Sequence, residues 1–215
     1  MQRPKKKCLF SKFLHFMTTH LPDAATIVAL QRKLVSDWHQ SDTPAVNKTD
    51  GFLLLVEENS LRNYTLWHHE DDARRDDMGF EFVYKAKRAI DAANQQRNDF
   101  IEKMDKALYA AVGENFGEAT QMNTETPGMS IDRLSILSLK EYHMREEFER
   151  GDASEAHKSK CEQKLKVIRQ QIEDLSYGLQ ALLEGCASGE RGFRVYFQFK
   201  MYNDPELNPA LYKKS

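Results

Sequence analysis

Two stretches of this chain carry polar side chains at helical spacings where aliphatic ones would be expected. Followed in steps of three and four, residues 56–73 read Val56, Asn59, Asn63, Leu66, Glu70, Ala73, and three of the six are polar. Residues 83–108 read Val83, Lys87, Ile90, Asn94, Arg97, Ile101, Met104, Leu108, with Asp91, Asn98 and Asp105 beside that line at seven-residue intervals. Amides and a guanidinium in such positions suit phosphate oxygens or sugar hydroxyls, and Trp67 offers a ring face for stacking. The candidate cavity residues are Asn63, Trp67, Glu70, Asp71, Arg74, Asp91, Asn94, Arg97 and Asn98. The competing interpretation is a satisfied internal network that fixes helix register, with Glu70 or Asp71 paired to Arg97.

A third stretch, "TPGMSIDRLSILSLKEYHM" from Thr126 to Met144, has no polar side. Met129, Ile131, Leu134, Ile136, Leu137 and Leu139 point nearly all round a helical wheel, so this helix should be central and covered by its neighbours. Asp132, Ser135 and His143 then have few routes to water. Asp132 and Arg133 lie in the first turn, where the helix dipole favours Asp132, so capping and a ligand role both account for it.

Other chemistry is weakly signalled. "HHEDD" at His68 to Asp72 has metal-binding residue types, but adjacent helical residues diverge and no HExxH spacing exists, so a solvated charged face is expected and no metal site is assigned. Glu70, Asp91, Glu102 and Asp105 could in principle hold magnesium for phosphate chemistry. There is no Gly-rich phosphate loop, no GxSxG and no Cys/His nucleophile pattern, and the cofactor stays unassigned.

The elements that must position these residues are helices. Two long ones, expected over residues 51–77 and 80–112 and joined by a short break, should form an antiparallel hairpin. A helix over residues 23–39 precedes them, the central helix runs from Pro127 to about Arg150, and another continues to about Glu184. "FRVYFQFKMY" alternates with period two, yet a helix is expected there for want of a strand partner. The fold class is therefore all-α: a single-domain bundle of five or six helices over residues 23–204, after a basic arm at 1–22 and before an extended tail at 205–215 that Pro205 and Pro209 keep from helix.

The totals agree. A chain of 215 residues with net charge -2 has no basic excess for nucleic acid, and no stretch approaches the ~20 apolar residues of a membrane span. Three scattered cysteines, Cys8, Cys161 and Cys186, imply neither a disulfide framework nor a zinc site and fit a reducing, cytosolic compartment. The arm's basic and apolar residues, Lys5 to Lys7 beside Leu9, Phe10 and Phe13, could anchor weakly to a surface or pack loosely on the domain.

The segments "NYTLWHHEDDARR", "AKRAIDAANQQRNDFIEKMD", "TETPGMSIDRLSILSLKEYHM" and "QFKMYNDPELNP" resemble, in order, the motifs of the bacterial domain-of-unknown-function 4254 family, over roughly Asp23 to Tyr212. The resemblance implies signature positions at Asn63, Trp67, Glu70, Asp71, Arg74, Asp91, Asn94, Arg97, Asn98, Asp132 and Arg133. It also implies a setting beside sugar transferases of lipopolysaccharide or other surface-glycan assembly, which is association and not mechanism. Three functions follow as expectations: binding or processing of a sugar phosphate or nucleotide, non-catalytic partnership with a glycosyltransferase, and magnesium-dependent nucleotide pyrophosphohydrolysis.

Overall fold

A computed structural model of the chain describes residues 21–212 other than 49, 200, 202 and 203. The expected basic arm lies almost wholly outside the described residues. Six helices are present among them: α1 (Ala24–His39), α2 (Gly51–Asp72), α3 (Phe80–Val112), α4 (Pro127–Glu149), α5 (Glu155–Ser188) and the single turn α6 (Pro209–Tyr212). The all-α bundle is thus what the chain builds.

Each boundary has a local cause. Asp23 caps α1 by accepting from the Thr26 amide, and Thr126 caps α4 by accepting from the Met129 amide, with Pro127 at a first position whose N–H would be unbonded anyway. Ser154 caps α5, which ends on Gly189 in the left-handed conformation that glycine adopts without strain. The helix expected to reach residue 77 stops at Asp72; a separate 3-10 turn, Asp76–Met78, and Gly79 at φ 86° then reverse the chain into α3. Four carboxylates crowd the end of α2 or lie just beyond it (Asp71, Asp72, Asp76, Asp77), where the dipole disfavours them.

Helices α2 and α3 pack along their length as one hairpin, and α4 and α5 as another. α4 alone touches α1, α2, α3 and α5, and nearly every residue from Thr126 to Leu139 except Arg133 is buried or half-buried, as its featureless wheel requires. The main core joins Ile27, Val56, Met104, Leu108, Ile131 and Leu134 to Ile168, Ile172, Leu179 and Phe193. A small separate cluster of Ala73, Ala86 and Ile90 with Leu66 closes the outer end of the first hairpin.

Two expectations fail here. "FRVYFQFKMY" forms no helix over residues 193–199; the chain runs from a parallel two-residue bridge, β2 (Arg191–Gly192) on β1 (Gln121–Met122), and buries Phe193 completely. The missing strand partner was in the loop before α4. The tail is not extended either: Pro209 opens α6, the one place in a helix where proline costs no hydrogen bond, and the Asn208 side chain accepts from the Ala210 amide at 2.9 Å. No helix among the described residues is long and apolar enough to cross a membrane.

Candidate functional site

The polar residues that α2, α3 and α4 turn inward meet on one carboxylate. Arg97 makes a two-pronged pair with Asp132, Nε to Oδ1 at 2.8 Å and Nη2 to Oδ2 at 2.6 Å, while the Asn59 and Asn63 amides donate to Oδ1 at 3.0 and 2.9 Å. Asn59, Asn63 and Asp132 are essentially buried. The bonds from Asp132 raise the Arg97 guanidinium above its usual range, which keeps it charged and fixed.

This corrects the expected pairing. In the antiparallel hairpin Arg97 lies level with Asn59 and Asn63, while Glu70 is two turns further along α2, about 10 Å away at 1.5 Å per residue. Glu70 pairs instead with Arg74, at 2.8 Å. Capping by Asp132 also falls away, because Thr126 performs it.

The remaining candidates separate into two clefts that share Ile136. One, of about 420 Å³, is lined by Asn63, Leu66, Trp67, Glu70, Asp71, Arg74, Ile136 and Leu139. The other, of about 270 Å³, is lined by Arg97, Asn98, Glu102, Glu125, Asp132, Arg133 and Tyr196 among others. Arg133 is exposed and ion-paired with Glu125. Asp91 faces outward and pairs with Arg88 at 2.9 Å, Asn94 is half-buried outside both clefts, and Lys87, placed on the inward stripe from sequence, is exposed. The buried line of α3 keeps Ile90, Met104 and Leu108 of that stripe but passes through Ala86 and Ala93 in place of Lys87 and Asn94.

The four carboxylates considered for magnesium do not converge. Asp91 holds Arg88, Glu102 accepts from the Gln198 amide at 2.9 Å, and Asp105 is spent on the start of α4. Among the described residues these four carboxylates form no shared ligand set for a magnesium ion.

Asp105 is 1% exposed and accepts from the Gly128 amide at 2.7 Å. Burial pushes its carboxyl up to about 6, against the opposing bonds from Thr126 and Gly128 and with help from the Glu102 charge. A folded-state value raised from 3.8 to about 6 means that ionisation opposes folding: the group's contribution is most favourable below about pH 4 and is lost as pH rises through about 6. Asp105→Asn keeps an acceptor for Gly128 and removes that titration. Relative to the variant, the wild type should lose on the order of 2–3 kcal/mol between about pH 4 and pH 7 in urea denaturation. Parallel pH profiles for the two proteins would remove Asp105 as the cause.

Sequence reasoning missed Glu57 and Gln31, both buried. Glu57 accepts from the Asn47 and Lys48 amides at 2.6 and 3.0 Å and so holds the loop before α2; Gln31 donates to the Ile131 carbonyl at 2.9 Å. No periodic signal marks them, because their partners are loop and backbone atoms. Nor is "HHEDD" uniformly a solvated face: Asp71 is exposed and His69 lies 3.7 Å from Asp72, while His68 turns inward among Tyr64, His39 and His143.

Fold and site together define an all-α bundle whose central helix is tied to a helical hairpin through a buried arginine–aspartate–diasparagine seam, with a cleft on either side. The profile of a family described as "Protein of unknown function (DUF4254)" matches residues 53–195, and the chain belongs to that family. The matched region contains the whole seam and all of α3, α4 and α5. No curated protein and no solved structure matches the chain.

Proposed function

We propose that the protein binds the sugar of a sugar phosphate or nucleotide sugar in the larger cleft, between α2 and α4, and serves surface-glycan metabolism there. The observation that carries this is the composition of that cleft: an apolar floor of Leu66, Ile136 and Leu139, the Trp67 ring, and Asn63, Glu70, Asp71 and Arg74 as polar groups. Trp67 already stacks on His143, with centroids 4.8 Å apart and planes at 9°, so one ring face remains for a sugar. Carboxylates and an amide suit hydroxyl donors. Asn63 gives its N–H groups to the seam and leaves a buried Oδ1 without a partner, an acceptor that a ligand hydroxyl would satisfy.

The same electrostatics orient the ligand. The cleft lies at the carboxyl end of α2 beside Glu70 and Asp71, where an inward phosphate would be repelled. Phosphate is therefore assigned to the outer rim, on Arg74, which is exposed in the turn after α2 and whose side chain bonds only to Glu70. Arg97 is not a phosphate ligand in this reading, since Asp132 occupies both of its prongs.

Thermal denaturation of the full chain against nucleotide sugars, sugar phosphates and nucleotides, with and without magnesium, tests this. A ligand at 100 times its Kd adds about 2.7 kcal/mol, or roughly 5–10 °C in a chain of this size. The response should be lost in Asp71→Asn, whose side chain is exposed and makes no hydrogen bond or ion pair that the fold depends on. A flat panel, or a response that Asp71→Asn leaves intact, would move the conclusion to partnership with a glycosyltransferase. One feature favours that second reading: Tyr196, Phe197, Phe199 and Met201 form an exposed apolar run after β2.

A further inference from the structure

The geometry points to a divalent transition-metal site of the zinc class, formed by the imidazoles of His39, His68 and His143, with a fourth coordination position for water. It does not depend on the sugar reading. The three residues come from the last position of α1, from α2 and from α4, and one donor atom of each lies within 4.8 Å of the other two. Among the described residues this is the group of three metal-ligating side chains that converges so closely.

The hydrogen bonds of the rings single out the ligand atoms. His39 Nδ1 lies 2.6 Å from the Val35 carbonyl, and His143 Nδ1 lies 2.9 Å from Glu146 Oε2. Both partners are acceptors, so Nδ1 carries the proton and the lone pair sits on Nε2. The Nε2 atoms of His39, His68 and His143 are all buried, and none has a hydrogen-bond partner. One unpartnered buried nitrogen costs free energy; three at one place share a cause, and a cation accepting three lone pairs supplies it. An Nδ1–H held by a carbonyl or carboxylate is the second layer that orients histidines on zinc.

The surroundings fit the same ion. Tyr142 stacks on His39 with centroids 4.0 Å apart, and Trp67 stacks on His143, so both rings are gripped by their faces while their nitrogen edges stay clear. Burial, and then the neighbouring imidazoles, hold His68 below the usual imidazole range; burial does the same to His143 against the pull of Glu146. Neutral imidazole is the form that binds metal. The Asp71 carboxylate is felt by both rings and would offset part of the ion's charge. Three neutral nitrogen donors without thiolate or carboxylate favour Zn²⁺ and its transition-metal neighbours over magnesium or calcium. Zinc–nitrogen bonds of about 2.0–2.1 Å require the nitrogens to close by roughly 1 Å each, a side-chain adjustment.

The full chain, stripped with a chelator and titrated with Co²⁺, provides the test. One equivalent should bind with the visible absorption of tetrahedral Co²⁺, and Zn²⁺ should displace it. His68→Gln should weaken binding at least 100-fold. Glu146→Gln, at a half-exposed side chain that any folding defect of the histidine variant would not touch, should weaken it about 10- to 100-fold. The control is a second donor group on α4 and α5, where Cys161 Sγ lies 3.3 Å from His157 Nε2 and that atom 3.0 Å from Glu147. His157→Gln with Cys161→Ser should leave Co²⁺ binding unchanged. Absence of stoichiometric binding by the wild type, or binding that survives both His68→Gln and Glu146→Gln, would overturn the site.

Discussion

Asp132→Ala should destabilise the protein by about 4 kcal/mol, as much as truncating a large side chain in the core. The magnitude comes from what is stranded. Asp132 is the shared acceptor of Arg97, Asn59 and Asn63, so its removal leaves a three-quarters-buried guanidinium and the buried Asn59 amide without partners and the Asn63 amide with only a long 3.5 Å bond to Asn59 Oδ1. Arg97→Ala should cost less, about 2 kcal/mol, because both asparagines still bond the carboxylate. Urea denaturation of the two variants measures the order. A loss below about 1 kcal/mol for Asp132→Ala would show that water replaces the seam freely and that these residues do not brace the fold.

Gly128→Val should cost a similar amount, about 4 kcal/mol, for a steric reason. A Cβ at Gly128 would lie 2.6 Å from Asp105 Oδ1 and 2.8 Å from the Ile101 carbonyl oxygen. The second of these is α3 backbone, which cannot step aside, so α4 must move off α3 and the Asp105 bond to its first turn is lost. Alanine makes the same contact with less bulk and gains about 1 kcal/mol of helix propensity, so Gly128→Ala should cost about half as much. If thermal midpoints of both variants match the wild type, the close approach of α4 to α3 at this point is wrong.

The bundle was legible in sequence wherever a helix had a cap and an apolar period. Thr126-Pro127 placed the start of α4 correctly, and the all-round apolar wheel placed it centrally. Asn59, Asn63, Arg97 and Asp132 were likewise conspicuous, because polar groups on an inward stripe must converge or be lost. What spacing along one helix could not give was level between helices, and so Arg97 was matched to Glu70 instead of Asp132. The β1–β2 bridge was illegible because two residues carry no period. The histidine cluster escaped for a related reason: His39, His68 and His143 are 29 and 75 residues apart in sequence, on three helices, and only packing brings their nitrogens together.

The seam also dictates where the chain can change length. One residue added within α4 between Thr126 and Asp132 would turn that carboxylate by about 100° around the helix, away from Arg97 and both asparagines. The same insertion in the exposed turn between α4 and α5, around Gly151 and Asp152, alters no register, since the seam's contacts all precede it. Growth by insertion is thus confined to the turns, and the first two turns of α4 are fixed in residue count as firmly as in residue type.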